Sequence, residues 1–225
     1  MGSLDSSNLI FNANNFLRLG EGLVLTLKVA IVSVILSSIF GIFFGIVMTS
    51  KNKFIKIIAT LYLEAIRIIP LMVWLFIFYF GIPTIFNIHI DSVLVGYIVF
   101  TLWGTAEIGD LVRGAITSIP VIYYESAKAL SLNKIQMYRH IIIPISFRRV
   151  LPGIINLTTR MIKTTTLMTL IGAVDLVKVG QQIIERTVLT EPLASFWIYG
   201  LILLIYFLIC FPISLGAKAL EKKLN

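Results

Sequence analysis

No charged residue stands between Glu191 and Lys218, and the stretch they bracket is apolar throughout. A helix crosses the hydrocarbon layer with about 20 mainly apolar residues. Four further stretches reach that length, so spans are predicted at Leu23–Met48, Ile57–Ile82, Val93–Ile116, Val150–Val174 and Leu193–Ala217. Of the 225 residues 58% are hydrophobic and only 13% charged. A soluble core of this size cannot enclose so much apolar surface, so lipid must be part of the solvent. The runs lack the polar-in, apolar-out alternation of a membrane strand, which leaves helices. The predicted fold class is an all-α membrane protein with five transmembrane helices. Without visible repeats or linkers, residues 1–225 read as a single transmembrane domain.

The net charge of +8 would suit nucleic acid, but its placement argues for a bilayer instead. Segments after spans one, three and five hold Lys51, Lys53, Lys56, Lys128, Lys134, Arg139, Arg148, Arg149, Lys218, Lys222 and Lys223. The opposite side holds only Arg18, Lys178 and Arg186. The positive-inside rule then puts the N-terminus outside with Asp5 and Glu185, and the C-terminus in the cytoplasm with loop 118–149. Met1–Phe16 is polar, with Asp5 its one charge, which does not read as a cleavable signal peptide. The single Cys210 lies in the last span as a small apolar residue. His89 and His140 fall on opposite sides and cannot share a metal.

Within the spans, Gly41 and Gly45 form a small-xxx-small face that lets another helix come close. Pro70 is expected to kink span two and Pro83 to end it, leaving Ile82–Ser92 as a short outer loop. Charges also lie at membrane depth: Glu64 and Arg67, then Glu107, Asp110 and Arg113, then Arg160 and Lys163. The spacing of three puts each group on one helix face. Each charge costs at least about 2.5–3.5 kcal/mol at the bilayer centre, so all should face the bundle interior, a partner or a cavity. Mutual pairing, Glu64 with Arg67 or Asp110 with Arg113, is one reading. The other is a lining for a charged or zwitterionic substrate, which suits Glu107, Arg160 and Lys163 best.

Loop 118–149 is too polar to insert but patterned. Ile119-Pro120 opens it, Ile143-Pro144 closes it, and Ala127, Leu130, Lys134 and Tyr138 recur at helical spacing. One short helix is predicted on each side of Ser131. Elsewhere the chain has no G-x-x-x-x-G-K-[ST], no G-x-S-x-G and no H-E-x-x-H, so neither ATP binding nor catalysis by those devices is expected of it.

Glu125-Ser126-Ala127, then Ser131, then Ile141 to Pro144, is similar to the EAA signature of bacterial ABC-importer permeases, with Ser126, Ser131 and Ile143 where Ala, Gly and Leu are usual. Leu19–Leu27 resembles the family's opening G-x3-T-L segment, and Tyr62–Leu71 its Y-x-E-x2-R-x2-P-L stretch. Ala106-Glu107-Ile108, Arg113–Ile116 and Lys163-Thr164-Thr165-Thr166-Leu167 also match, with Thr166 for Ser, whereas Ile122-Tyr123 replaces the usual Gly-Gln. The resemblance, from Gly20 to the C-terminus, is to the permeases of polar amino acid importers.

That resemblance implies a multi-pass permease of the bacterial cytoplasmic membrane. Its implied partners are a second permease, identical or homologous, two cytoplasmic ATPase subunits and an extracytoplasmic amino-acid-binding protein. Glu125, Ser126, Ala127, Ser131, Ile141 and Pro144 would couple it to the ATPase. Glu125 is expected to start a short helix, and Ala127 to be small so that the loop fits a groove on the partner. Glu64, Arg67, Glu107, Asp110, Arg160, Lys163 and Thr166 are candidates for the substrate path, with a lean towards glutamate, aspartate or glutamine. No cofactor is expected on this chain, since ATP and Mg²⁺ would sit on the partner. The competing reading is an ion-coupled secondary transporter or channel subunit with Glu107 or Asp110 as proton carriers. A membrane enzyme is disfavoured by the missing motifs.

Overall fold

The computed structural model describes residues 12–224, and Asp5 lies outside them. Among the described residues there are helices and no strands. Helix α1 is Ala13–Met48, starting well before the expected Leu23. Asn12 caps it, its Oδ1 accepting the Asn15 N–H at 2.7 Å. Hydropathy marks only the part of a helix that lies in hydrocarbon. No proline interrupts the polar first turns, so the helix extends N-terminally of that part.

Span two is broken rather than kinked. Helix α2 (Lys53–Ile68) and the segment Leu71–Phe86 meet at 100°. The cause is local: Ile69, the residue before Pro70, is extended at ψ 126°, as the proline ring demands of its predecessor. Beyond the break come α3 (Leu71–Phe76), a π-helical turn (Ile77–Gly81) and α4 (Ile82–Phe86). Pro83 therefore does not end the helix. The Ile82 N–H reaches back to the Ile77 carbonyl, and this one-residue widening accommodates a proline with no N–H of its own. The helix stops at Asn87, left-handed at φ 50°, so the outer loop is shorter than expected. Asp91 then caps α5 (Ser92–Thr117) by accepting the Val93 and Leu94 N–H groups at 2.8 and 3.3 Å.

Helix α5 is the buried centre of the molecule, with Val95, Val99, Phe100, Ala106 and Ile108 almost fully enclosed. Helix α1 packs along it at the Gly41/Gly45 face. A Cβ on Gly41 would sit 2.7 Å from Ile108 Cβ, and one on Gly45 2.5 Å from Val112 Cβ and 2.6 Å from the Gly109 carbonyl oxygen. The small-residue face thus has an intramolecular partner.

After α5 come the short helices α6 (Val121–Ala129) and α7 (Lys134–Met137) and a π turn (Tyr138–Ile142). Helix α8 (Ile143–Thr164) and a 3₁₀ segment (Thr165–Ile171) follow without a gap. The helical run starts at Lys134, not Val150, and ends at Gly172, whose φ of 82° no β-branched residue would adopt. Before Pro144 the Ile143 N–H bonds the Tyr138 carbonyl, the same widened turn as before Pro83, so Ile143-Pro144 does not close the loop. Between spans four and five lies an element hydropathy did not reveal: α9 (Leu176–Thr187), an amphipathic helix. Its Leu176, Val179 and Ile183 are buried with Leu19 of α1 and Ile198 and Ile202 of α10 (Ala194–Leu224), which runs on past the expected Ala217. Asp175 caps α9, accepting the Lys178 N–H at 2.9 Å and the Thr169 hydroxyl at 2.7 Å.

Candidate functional site

The loop after α5 is built by three local devices. Pro120, extended, starts α6. At the other end of α6 the Leu132 N–H bonds the Ala127 carbonyl at 3.0 Å and the Ser131 N–H bonds the Lys128 carbonyl at 2.9 Å. These are the paired bonds of a Schellman motif, and Ser131 takes the left-handed position at φ 54° that glycine usually fills. Asn133 then opens α7 with a capping box: its Oδ1 accepts the Gln136 N–H at 2.9 Å, and Gln136 Oε1 accepts the Asn133 N–H at 2.9 Å. Two short helices thus flank Ser131, as expected, and serine makes the turn at the left-handed position that glycine usually fills.

Two other expectations for the loop are corrected. Glu125 lies inside α6 rather than at its start, so the helix dipole contributes little to it. Its side chain is exposed and in no ion pair among the described residues. Ala127 is fully buried within its own chain, so its small size serves the internal packing of the loop rather than a groove on a partner. Ser126 and Pro144 are exposed, and Ile141 is half-buried in a cluster with Ile142, Tyr138 and Ile119. Helix α7, the π turn and α8 form one helical run that starts at Lys134 in the loop and carries Arg160 and Lys163 further along.

Five of the membrane charges, Arg67, Glu107, Asp110, Arg113 and Arg160, form a single network. Arg67 donates to Asp110 at 2.7 Å and lies 3.7 Å from Glu107. Arg113 reaches Asp110 from the same helix at 2.9 and 2.5 Å. Arg160 donates to Glu107 at 3.0 Å and stacks over Trp103, with its Cζ 5.4 Å from the ring centroid. The intrahelical pair Asp110–Arg113 was legible from spacing, whereas Glu64–Arg67 does not form. Arg67 turns instead to α5, and Glu64 is exposed and in no ion pair among the described residues. The network therefore ties α2, α5 and α8 together. Tyr62 adds a bond from α2 to α5 through its hydroxyl and the Leu102 carbonyl at 2.7 Å. Sequence reasoning missed Trp103, which offers no charge or spacing signal, and met Tyr62 only as the first residue of the Tyr62–Leu71 resemblance.

The two carboxylates are about one fifth exposed, and the three guanidinium groups between 37% and 54%. At that exposure the attraction is screened, and its value lies in holding helices in register rather than in large net stability. Lys163 is exposed and in no ion pair among the described residues; the Thr166 hydroxyl donates to its carbonyl at 2.9 Å. The cationic face of α8, Arg160 and Lys163 one turn apart, is thus only half neutralised. No group of three or more His, Cys, Asp or Glu placed to hold a metal lies among the described residues.

The chain matches the family described as "Binding-protein-dependent transport system inner membrane component" over residues 37–225. It is 30% identical over 205 residues to a Rickettsia prowazekii (strain Madrid E) protein named as a glutamine transport system permease, GlnP, which covers 91% of each chain. Its identity is also 30% over 206 residues, 91% of each, with the arginine transport system permease protein ArtQ of Bacillus subtilis (strain 168). The fold superposes on the crystal structure of an amino acid ABC transporter with histidines at a TM-score of 0.82 and 26% identity, covering 92% of this chain and 94% of that one. The apolar spans, the helical loop between α5 and α8 and these similarities agree: the chain belongs to the family of binding-protein-dependent transport system inner membrane components, the membrane permeases of ABC importers.

Proposed function

We propose that this permease is one membrane half of an ATP-driven importer of polar amino acids in the bacterial cytoplasmic membrane. A second permease, identical or homologous, completes the pathway. Two cytoplasmic ATPase subunits, which carry ATP and Mg²⁺, dock at loop 118–149, and a binding protein delivers substrate from outside. The observation that carries this reading is the loop itself: a capped pair of short helices continuous with the membrane helix that bears Arg160 and Lys163. The charge asymmetry of the segments supports the orientation, N-terminus outside and C-terminus inside.

For the substrate, the half-neutralised cations of α8 favour a carboxylate partner near Lys163 and Thr166, as every amino acid offers. Relatives named for glutamine and for arginine fit a shared carboxylate site with a variable side-chain pocket. The surplus of Arg over acid in the network suits the side-chain carboxylate of glutamate or aspartate, and the relative named for glutamine keeps glutamine beside them. Proton carriage by Glu107 or Asp110, which an ion-coupled transporter would need, is disfavoured because each is held by a guanidinium at 2.7–3.0 Å. Uptake by proteoliposomes carrying the full complex tests the site. Losing one charge-assisted hydrogen bond to substrate is worth about 1.5–3 kcal/mol, so Lys163→Met should cut uptake by roughly 10-fold or more while the complex still purifies intact. Uptake at the unaltered level would remove Lys163 from the path.

A further inference from the structure

Asp175 is the one acidic residue that is buried among the described residues, and its exposure is zero. It lies between the 3₁₀ segment and α9, at a junction of four elements. The Thr169 hydroxyl of the 3₁₀ segment and the Lys178 N–H of α9 both donate to its Oδ1. On the α1 side the Leu176 N–H bonds the Thr26 hydroxyl at 3.3 Å, and a Cβ on Gly22 would sit 2.9 Å from the Asp175 carbonyl oxygen. From α10, Tyr206 stands within electrostatic reach of the carboxyl.

What this carboxyl lacks is a cation. Glu107 and Asp110, about one fifth exposed, both hold guanidinium groups, whereas Asp175 is in no ion pair among the described residues. The groups that act on it are the Thr169 hydroxyl, the backbone N–H groups that open α9, and the Tyr206 phenol. Cys210, one turn further along α10, lies within reach of Lys163. Both donated bonds fall on Oδ1. Oδ2 is buried with no hydrogen-bond partner among the described residues, and so is the Tyr206 hydroxyl. Ionised, Asp175 would keep a full charge away from water with one oxygen met by no donor, a costly arrangement. Neutral, it carries its proton on the oxygen that lacks a donor, and a phenol oxygen such as that of Tyr206 can accept it.

We propose that Asp175 is a proton-binding site: at neutral pH it carries a proton on Oδ2, and the junction of α1, the 3₁₀ segment, α9 and α10 is packed around the neutral acid. Releasing the proton would place an unpaired charge at the junction and loosen it, so the packing there is linked to pH. Burial pushes the Asp175 carboxyl upward from the ordinary carboxylate range. With the folded-state value above the unfolded one, this group's stabilisation is complete below the ordinary range. It falls as pH rises from there to the raised value.

Thermal unfolding of the purified full-length permease and of Asp175→Asn, followed from about pH 4 to about pH 8, reads that linkage. Asparagine keeps an Oδ1 that can accept both bonds and cannot ionise. The two midpoints should nearly coincide at the acid end, and by neutral pH the unaltered protein should unfold roughly 5 °C or more below the variant. A gap that stays constant across the range, or an unaltered protein that gains on the variant as pH rises, overturns the proposal. Infrared spectroscopy of the unaltered permease reads the proton even if the variant does not fold. The carbonyl stretch of a protonated carboxyl should persist at neutral pH, and no other acid among the described residues is buried. Absence of that band at neutral pH would make Asp175 an ionised cap and equally overturns the proposal.

Discussion

Ser131 is where a single residue has most to answer for. A non-glycine residue in the left-handed region costs roughly 1–2 kcal/mol, and here the Schellman bonds from Leu132 and Ser131 hold it there. Ser131→Gly should relieve that strain, offset by glycine's greater freedom when unfolded, for a net gain of about 0.5–1 kcal/mol. The check is thermal unfolding of the purified complex, where the midpoint should rise; a fall would mean that the serine side chain contributes something the bonds above do not describe. The order of the loop residues was legible in the sequence. Their roles were less so. The motif begins at Glu125, yet the helix starts earlier, after Pro120. Ala127 is buried in its own chain, and burial is a property of tertiary packing that a lone alanine cannot announce.

Among the elements, apolar length located four helices long enough to cross a membrane and, as the second expected span, the pair Lys53–Ile68 and Leu71–Phe86 bent by 100°, because the bilayer imposes that length. It could not locate their ends, since helices extend into polar surroundings wherever nothing stops them, as at α1, α8 and α10. Nor could it find α9, which is amphipathic and short. Prolines proved context-dependent: Pro70 breaks a helix through its extended predecessor, while Pro83 and Pro144 are absorbed by a widened turn. The Gly41/Gly45 face was recognisable, and only the structure supplied its partner. Gly45→Leu would push a side chain into the Gly109 backbone and Val112, costing about 1–3 kcal/mol. Gly20→Ala, where nothing lies within 4 Å, serves as the control and should leave the unfolding midpoint unchanged or slightly higher. Equal effects of the two would mean that α1 does not pack on α5 at this face.

For the whole molecule, coupling needs an orientation and a mechanical connection. In a Cys210→Ala background, a cysteine at position 134 should label only from the cytoplasmic side and one at 185 only from outside, in keeping with the segment charges. Labelling of position 134 from outside would reverse the topology, and with it the docking side. The proposed connection runs from exposed Glu125 through the Schellman turn and a helical run that holds a π turn and Pro152 to Arg160, whose pair with Glu107 belongs to the network joining α8 to α5 and α2. The most direct test is ATPase activity of the reconstituted complex with and without loaded binding protein, measured beside uptake. The account predicts that Glu125→Ala leaves the ATPase subunits bound but removes most of the stimulation by binding protein and most of the uptake. Full stimulation with normal uptake in that variant would contradict the claim that this loop couples the permease to its ATPase.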